Sequence, residues 1–394
     1  MATRQRLLPS SSDDSLHAPP LPPLPFDLGV EILCRLSVKS LLQLRCVCKS
    51  WKTLISDPKF AKHHLLRSSP TDFTRHRLIL GYNILPNDRF KFLLKDYPLL
   101  SVFNAAMPAP ATELGYPLRD NFNLIMDSCD GIVLVCANYK RCIVLWNPST
   151  RRFKELPRLE IPESEVEGAS TFITYGFGYD NLADSYKVVA VFYYETDTGG
   201  YRKNKTNFEF YKTQVKVHTL GTHSWREIQE FPSCVPFTGA GRFVSGTVNW
   251  LVSDESNWFI NSLDLGKESY QKLLPPNDGS EPENYLGVLR DCLCVLCGDS
   301  KVWNVWLMME YGNQKSWTKL FSVATELFPY YKGQGLGAIH ISEDDQVLVV
   351  QFCSELFLYN SKDGTLKSLQ IQIPDACISM VSWVYVESLV SPCF

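Results

Sequence analysis

The sequence predicts a small all-α module of three helices followed by an all-β propeller of about six blades. Three observations carry this. Apolar residues at helical spacing are confined to residues 24–66. From about residue 75, short β-branched and aromatic runs alternate with Gly, Asn, Asp and Pro turns, and no long helical pattern persists. Across this β-rich region a single strand–turn–strand arrangement recurs with a period in the middle to high forties.

At 394 residues the chain has room for more than one domain and for a sizeable core. Its 45% apolar and 21% charged residues are ordinary for a globular protein. A net charge of −3 argues against a whole-chain nucleic-acid binder, which needs an excess of clustered Lys and Arg. No run approaches the ~18 apolar residues of a membrane span, so no membrane partner is expected. Arg4 and Arg6 are followed by no apolar stretch, so no secretory signal is expected. The 13 cysteines are odd in number and many sit in apolar strand-like runs, such as Cys136, Cys142 and Cys353. Reduced, largely buried thiols in the cytoplasm or nucleus are the expectation.

Residues 1–23 hold five prolines and a Ser/Asp run and read as a disordered leader. Residues 24–66 form the helical module. Leu28, Ile32 and Leu36 share one face of a first helix, with Asp27 in its opening turn where a carboxylate suits the helix dipole. Ser37 interrupts, and Val38–Leu44 offer a second short helix. Val47, Trp51, Leu54 and Ile55 form the stripe of a third, with Ser56-Asp57-Pro58 expected to stop it. Residues 67–76 read as a linker, and residues 77–390 as the β domain.

In the β domain the clearest stretch is 131–157: strand, tight turn, strand, the turn Asn147-Pro148-Ser149-Thr150, and a third strand. A large residue before such a turn is answered seven positions later by another. The pairs are Trp146/Phe153, His218/Trp225, Leu263/Tyr270, Glu310/Trp317 and Tyr359/Leu366. Their later members stand 72, 45, 47 and 49 residues apart, the 72 containing a polar insertion at 193–207. That period with three or four strands per unit is a propeller blade, whereas a β-sandwich would not need it. Five units are visible, and residues 77–100 supply a degenerate first; the spacing allows five to seven blades. The last strand, 378–389, has no unit of its own and suits ring closure by pairing with the first blade.

Two stretches resemble known families. Leu24-Pro25-Phe26-Asp27-Leu28, Glu31-Ile32-Leu33, Arg35-Leu36, Val38-Lys39-Ser40-Leu41-Leu42, Arg45-Cys46-Val47-Cys48-Lys49-Ser50-Trp51, Leu54-Ile55-Ser56-Asp57-Pro58 and Phe60 resemble the plant F-box motif. The family usually has Pro where this chain has Ser37. Trp146-Asn147-Pro148-Ser149-Thr150-Arg151 and Tyr175-Gly176-Phe177-Gly178-Tyr179-Asp180, with Asp184-Ser185-Tyr186-Lys187-Val188-Val189, resemble the F-box-associated domain of plant F-box/kelch-repeat proteins. Kelch repeats themselves are not evident, since paired glycines occur only at Gly199-Gly200.

The resemblance implies a substrate-recognition subunit of a Skp–cullin–F-box ubiquitin ligase. The F-box would dock on a Skp-type adaptor, and through it on cullin and RING subunits, while the propeller captures the protein to be ubiquitinated. Three short helices bury too little surface to stand alone, so their apolar faces want a partner. Leu24, Pro25, Leu28, Ile32, Leu33, Leu36, Val38, Leu41 and Leu44 are the expected adaptor contacts. Val47, Trp51 and Ile55 are the expected core of the module. Between Leu24 and Leu66 stand seven Lys/Arg and three Asp/Glu, a basic module on an acidic chain. The resemblance implies an acidic adaptor, which that sign would steer. Tyr193, Tyr194, Tyr201 and Arg202, in the insertion, are the expected substrate contacts.

No catalytic constellation, metal site or cofactor is expected. The chain has no P-loop, H-E-x-x-H, G-x-S-x-G or Rossmann fingerprint. Cys292, Cys294 and Cys297 lack a second pair at zinc spacing, and on a strand Cys297 points away from the other two. His63-His64 and the acidic turn Asp344-Asp345 lack the geometry of a metal site. The alternative function is a propeller that binds a carbohydrate or other small ligand, with the F-box as a regulator.

Overall fold

The structure is a computed structural model and describes residues 26–67, 73–85, 91–104, 111–115, 124–137, 142–161, 169–196, 210–232, 235–236, 239–253, 257–276, 281–299, 301–328, 336–352, 354–369, 371–375 and 377–393. The leader therefore lies outside the described residues.

Four short helices open the chain: α1 (Phe26–Cys34), α2 (Val38–Leu44), α3 (Lys49–Ile55) and α4 (Pro58–Leu66). Ser37 caps α2, its hydroxyl accepting from the Ser40 N–H, so the residue at the usual Pro position supplies a cap instead. α3 ends at Ile55, stopped at Ser56-Asp57-Pro58 as expected, and the same Pro58 also opens a further helix. Asp57 accepts from the Lys59 N–H at 2.7 Å, and Pro is well suited to a first helical position, where no N–H is required. The module thus has a fourth helix beyond the three expected.

Blade one is built from β1 (His76–Ile84), β2 (Lys91–Pro98) and, after α5 (Leu99–Asn104), β3 (Thr112–Glu113). Blade two is β4 (Leu124–Cys129), β5 (Ile132–Ala137), β6 (Cys142–Asn147) and β7 (Arg152–Glu155). Blade three is β8 (Ala169–Asp180), β9 (Ser185–Thr196), β10 (Phe210–Thr219) and β11 (Arg226–Ile228). Blade four is β12 (Val235–Pro236), β13 (Arg242–Val244), β14 (Thr247–Ser253), β15 (Trp258–Asp264) and β16 (Ser269–Leu273), with β12 and β13 both paired to β14. Blade five is β17 (Glu281–Leu289), β18 (Cys292–Gly298), β19 (Val302–Met308) and β20 (Trp317–Ala324). Blade six is β21 (Leu336–Ile341), β22 (Val347–Phe352), β23 (Glu355–Asn360) and β24 (Thr365–Ser368). The final strand, β25 (Cys377–Val386), pairs antiparallel with β1 and becomes the innermost strand of blade one. Six antiparallel sheets form the ring, closed as the sequence predicts.

The seven-residue pairs are cross-strand partners. Trp146 faces Phe153, Leu263 faces Tyr270 and Tyr359 faces Leu366 across the last hairpin of their blades. His218 and Trp225 lie one step beyond the register of β10 and β11, with ring centroids 5.3 Å apart. The residue after the first member opens an Asx turn. Asn147 accepts from Ser149 and Thr150, Asp264 from Gly266 and Lys267, and Asn360 from Lys362. In blade five the partner of Trp317 is Met308 and not Glu310, because a one-turn helix at Gln314–Ser316 makes that hairpin two residues longer.

The motifs of the second resemblance hold blades together. Lys187 is buried between blades three and four, 2.8 Å from Asp180 Oδ2 and 3.0 Å from Glu268 Oε1, and it donates to the Leu265 carbonyl. A buried ammonium needs such a set of acceptors. Gly178 lets Phe243 of blade four pack on β8; a Cβ there would lie 2.1 Å from its ring. Cys294 and Cys297 pack on opposite faces of β18, toward blades six and four respectively, with Cys292 beside Cys294.

Asn147 is fully buried and ties the C-terminal tail to blade two. Its amide donates to the Ser388 and Val390 carbonyls at 3.1 and 2.7 Å, while its oxygen holds the turn. Asn147→Ala strands both carbonyls and is expected to cost about 3 kcal/mol, read as a lower urea midpoint. Asn147→Asp keeps the turn acceptor but not the donor, and should fall at least as far if the tail contact dominates.

Candidate functional site

The helical module has its own core. Leu33, Cys34, Val38, Leu41, Ile55, Phe60 and Ala61 are buried. His64 is buried with them, its Nε2 2.9 Å from the Leu36 carbonyl, and burial lowers its pKa. This core leaves an apolar outer face. On α1, Leu28 and Ile32 are 52% and 51% exposed, one helical turn apart. Val47, just before α3, is 66% exposed, and Trp51 on α3 is 36% exposed.

Leu33, Val38 and Leu41, read from the sequence as adaptor contacts, therefore serve the module's core, and Leu36 and Leu44 are half-buried against it. Of the expected core, Ile55 is buried, but Val47 and Trp51 face outward. The reason is α4: Phe60 and Ala61 enter the core that the sequence assigns to Trp51. Leu24 and Pro25 lie outside the described residues.

The module is seated on the ring. One continuous buried cluster runs from its helices into blades two and three. Lys62 of α4 contacts Asp184 and the Tyr179 hydroxyl, and its ammonium stands 4.6 Å from the Tyr179 ring centroid. Arg75, just before β1, donates to the carbonyls of His64 and Cys34 at 3.0 and 3.2 Å. The Lys62–Asp184 pair is largely solvated and adds at most ~1 kcal/mol, so the apolar cluster and Arg75 carry the seating.

Beside α4 the ring encloses a cavity of about 790 Å³, lined by β4, β13, β17, β21 and β25, with Leu65 and Leu66 at its rim. The turns at this end are two-residue hairpins with both central φ values positive, at Asp130-Gly131, Ser245-Gly246 and Arg290-Asp291. Arg290 bonds the next blade, to Asp345 at 2.9 Å and to the Ser342 and Glu343 carbonyls at 2.7 Å. The acidic turn at 344–345 thus answers an arginine. Asp130 accepts from the Tyr186 hydroxyl at 2.8 Å.

Asp127 is not singled out by the sequence. A bulge in β4, where the register skips from Ile125 to Asp127, sets its side chain at the cavity wall. It is only 8% exposed. Arg242 Nη1 lies 3.9 Å from Oδ1, beyond hydrogen-bond distance, and Oδ2 has no hydrogen-bond partner among the described residues. Burial pushes the carboxyl up to about 7, opposed by the Arg242 charge and by the backbone N–H groups of Ser128 and Phe243. On the same wall burial lowers His340 to about 3.

The expected substrate contacts divide. Tyr193 and Tyr194 belong to β9 and not to a loop, because aromatic and β-branched residues extend its pairing with β8; Tyr193 faces Phe172 with ring centroids 5.4 Å apart. The side chain of Tyr194, and all of Tyr201 and Arg202, lie outside the described residues. Tyr193 is eight residues along β9 from Ser185, about 26 Å from the turn that Lys62 touches. It therefore marks the end of blade three away from the helical module.

A small helical module with an apolar outer face, seated on a closed six-blade ring, is the architecture of an F-box followed by a β-propeller. Residues 21–63 match the F-box domain, and residues 105–392 match the family described as F-box associated beta propeller domain. The second match spans most of the chain, and the chain belongs to that family. It is 30% identical to an F-box/kelch-repeat protein of Arabidopsis thaliana, over 94% of this chain and 96% of that one. It is 25% identical to the F-box protein CPR1 of the same organism, over 94% and 89% of the two chains. Among solved structures, an acylaminoacyl peptidase of Pyrococcus horikoshii matches at a TM-score of 0.37 and 11% identity, over 77% of this chain and 54% of that one. A likeness that distant carries no statement about activity.

The Asp127 carboxyl makes a testable contribution to stability. Its folded pKa is raised, so its ionised form is penalised in the fold. The penalty is absent below about pH 4, where the acid is protonated folded and unfolded, and it is complete above pH 7. Asp127→Asn is expected to be more stable than wild type at pH 8 by on the order of 2–4 kcal/mol, with the difference vanishing toward pH 4. Urea titrations at both pH values measure it; an equal difference at both would contradict the assignment.

Proposed function

We propose that this chain is the substrate-recognition subunit of a Skp–cullin–F-box ubiquitin ligase. In this reading it has no catalysis of its own. The F-box binds a Skp-type adaptor, cullin and RING subunits follow through that adaptor, and the propeller holds the protein to be ubiquitinated. The observation that carries the reading is the intact F-box with an outward apolar face, Leu28 and Ile32 on α1, in front of a closed ring. The module's excess of basic residues suits steering toward an acidic partner. In this reading the chain works in the cytoplasm or nucleus, where thiols stay reduced.

The substrate-binding end is proposed to be the end of the ring that carries Tyr193 and the 197–209 connection. There a bound protein would clear the adaptor attached at the opposite end. The alternative, a ring that serves a small ligand, has one supporting feature, the axial cavity.

Leu28→Ala/Ile32→Ala should lose most binding to a Skp-type adaptor in a pull-down, since truncating buried anchors costs about 1 kcal/mol or more each. Retained binding would remove this face from the docking site. Deleting residues 197–207 should change the set of co-purified proteins while leaving adaptor binding intact; an unchanged set would place substrate capture elsewhere on the ring.

A further inference from the structure

We propose that the axial cavity beside α4 is a binding site for a small organic cation, an ammonium or guanidinium compound, anchored by Asp127. The cavity, about 790 Å³, is of the size that encloses a small molecule. Its rim residue Leu66 is exposed, so the space opens to solvent beside the F-box.

The choice of a cation follows from what the wall groups already do. Asp130 is engaged by Tyr186, Arg290 by the 342–345 turn, and the Tyr285 hydroxyl by the Ala338 carbonyl. Arg242 donates through Nε to the Leu286 carbonyl at 3.1 Å and lies over the Trp383 ring at 5.9 Å. Its guanidinium stays 3.9 Å from Asp127. Among the described wall groups, Asp127 alone combines near-complete burial, a formal charge and an oxygen with no donor. A buried carboxylate in that state is costly, and a protonated amine or guanidinium supplies both the charge and the hydrogen bonds that relieve it.

Other ligand classes fit less well. An anion would meet Asp127, Asp130 and Asp291, and the two arginines of the same lining, Arg242 and Arg290, already donate to carbonyl and carboxylate oxygens of the ring. A neutral polyol would leave the carboxylate charge unbalanced. Among the described residues no group of three His, Cys, Asp or Glu side chains is placed to hold a metal ion. Trp383 and Phe243 give the carbon skeleton of an organic cation an aromatic wall, and the ring faces favour positive charge.

The test uses the full-length chain and reads binding alone, so its outcome is independent of adaptor or substrate capture. Agmatine is titrated at pH 8 by calorimetry and by thermal shift, beside neutral 1,4-butanediol and anionic glutarate. Agmatine should bind and raise the melting temperature with concentration, while the other two do neither. Asp127→Asn should weaken agmatine at least tenfold while melting, without ligand, at or above the wild-type temperature, so that the loss is not unfolding. The proposal is overturned if agmatine does not bind at millimolar concentration, if butanediol or glutarate acts equally, or if Asp127→Asn binds agmatine like wild type. The comparison of the three probes decides on the wild-type protein alone should the variant fail to fold.

Discussion

Closure of the ring is the constraint on which the rest of the structure depends. The six sheets are separate and pack side by side, and the ring closes because β25, from the far end of the sequence, becomes the innermost strand of blade one by pairing with β1 from His76–Val386 to Ile84–Cys377. An unpaired β1 would expose a row of backbone donors and acceptors along nine residues, which is both a cost and a site for aggregation. The chain secures the exit from β25 as well. Gly131, at φ 81°, comes so close to the tail that a Cβ would lie 2.5 Å from the Val386 carbonyl, and Asn147 then holds Ser388 and Val390. The fold is therefore completed only when the last residues arrive, and its first blade is shared between both ends of the chain.

That arrangement also decides where the F-box sits. Arg75 bonds the F-box carbonyls, while its own carbonyl accepts from the Glu387 N–H at 2.8 Å. One residue thus links the helical module to the closing strand. With the apolar cluster beneath α4 and the Lys62 contacts to blade three, this fixes the F-box to the ring as a rigid end, and not as a bead on a tether. Four short helices could not do this alone, because their common core is only a handful of side chains and needs the ring beneath it.

The axial cavity shows the opposite physics. Buried charges elsewhere are answered: Lys187 by Asp180 and Glu268, Arg77 by Asp96, Arg290 by Asp345. Asp127 departs from that rule, and it does so at the wall of the axial space. Structural ion networks hold blades in register; the Asp127 carboxylate meets the Arg242 charge only at 3.9 Å and keeps Oδ2 without a donor. The bulge that sets it there is local to β4, so the fold does not require an acid at this position.

Local chemistry was legible in the residues themselves. The period of the hairpin pairs predicted the blades, because Asn147, Asp264 and Asn360 each fold an Asx turn that places partners seven apart regardless of context. The same regularity made β25 recognisable as a strand without a unit. The apolar stripe of α1 was readable because Leu28 and Ile32 repeat at helical spacing. What sequence could not rank was competition for burial. Val47 and Trp51 have the composition of a core, yet Phe60 and Ala61 of α4 fill that volume, and Pro58 hid α4 by reading as a stop. Asp127 was invisible for a related reason: one aspartate in a strand-like run carries no signal, and its burial, its distance from Arg242 and its place at a cavity arise from five strands brought together from across the chain. Sequence determined the period of the blades and their hairpin turns, since these depend on neighbours within a few residues. Tertiary structure alone decided which apolar side chains face outward and which carboxylate oxygen is left without a donor, since both depend on which distant segments pack against them.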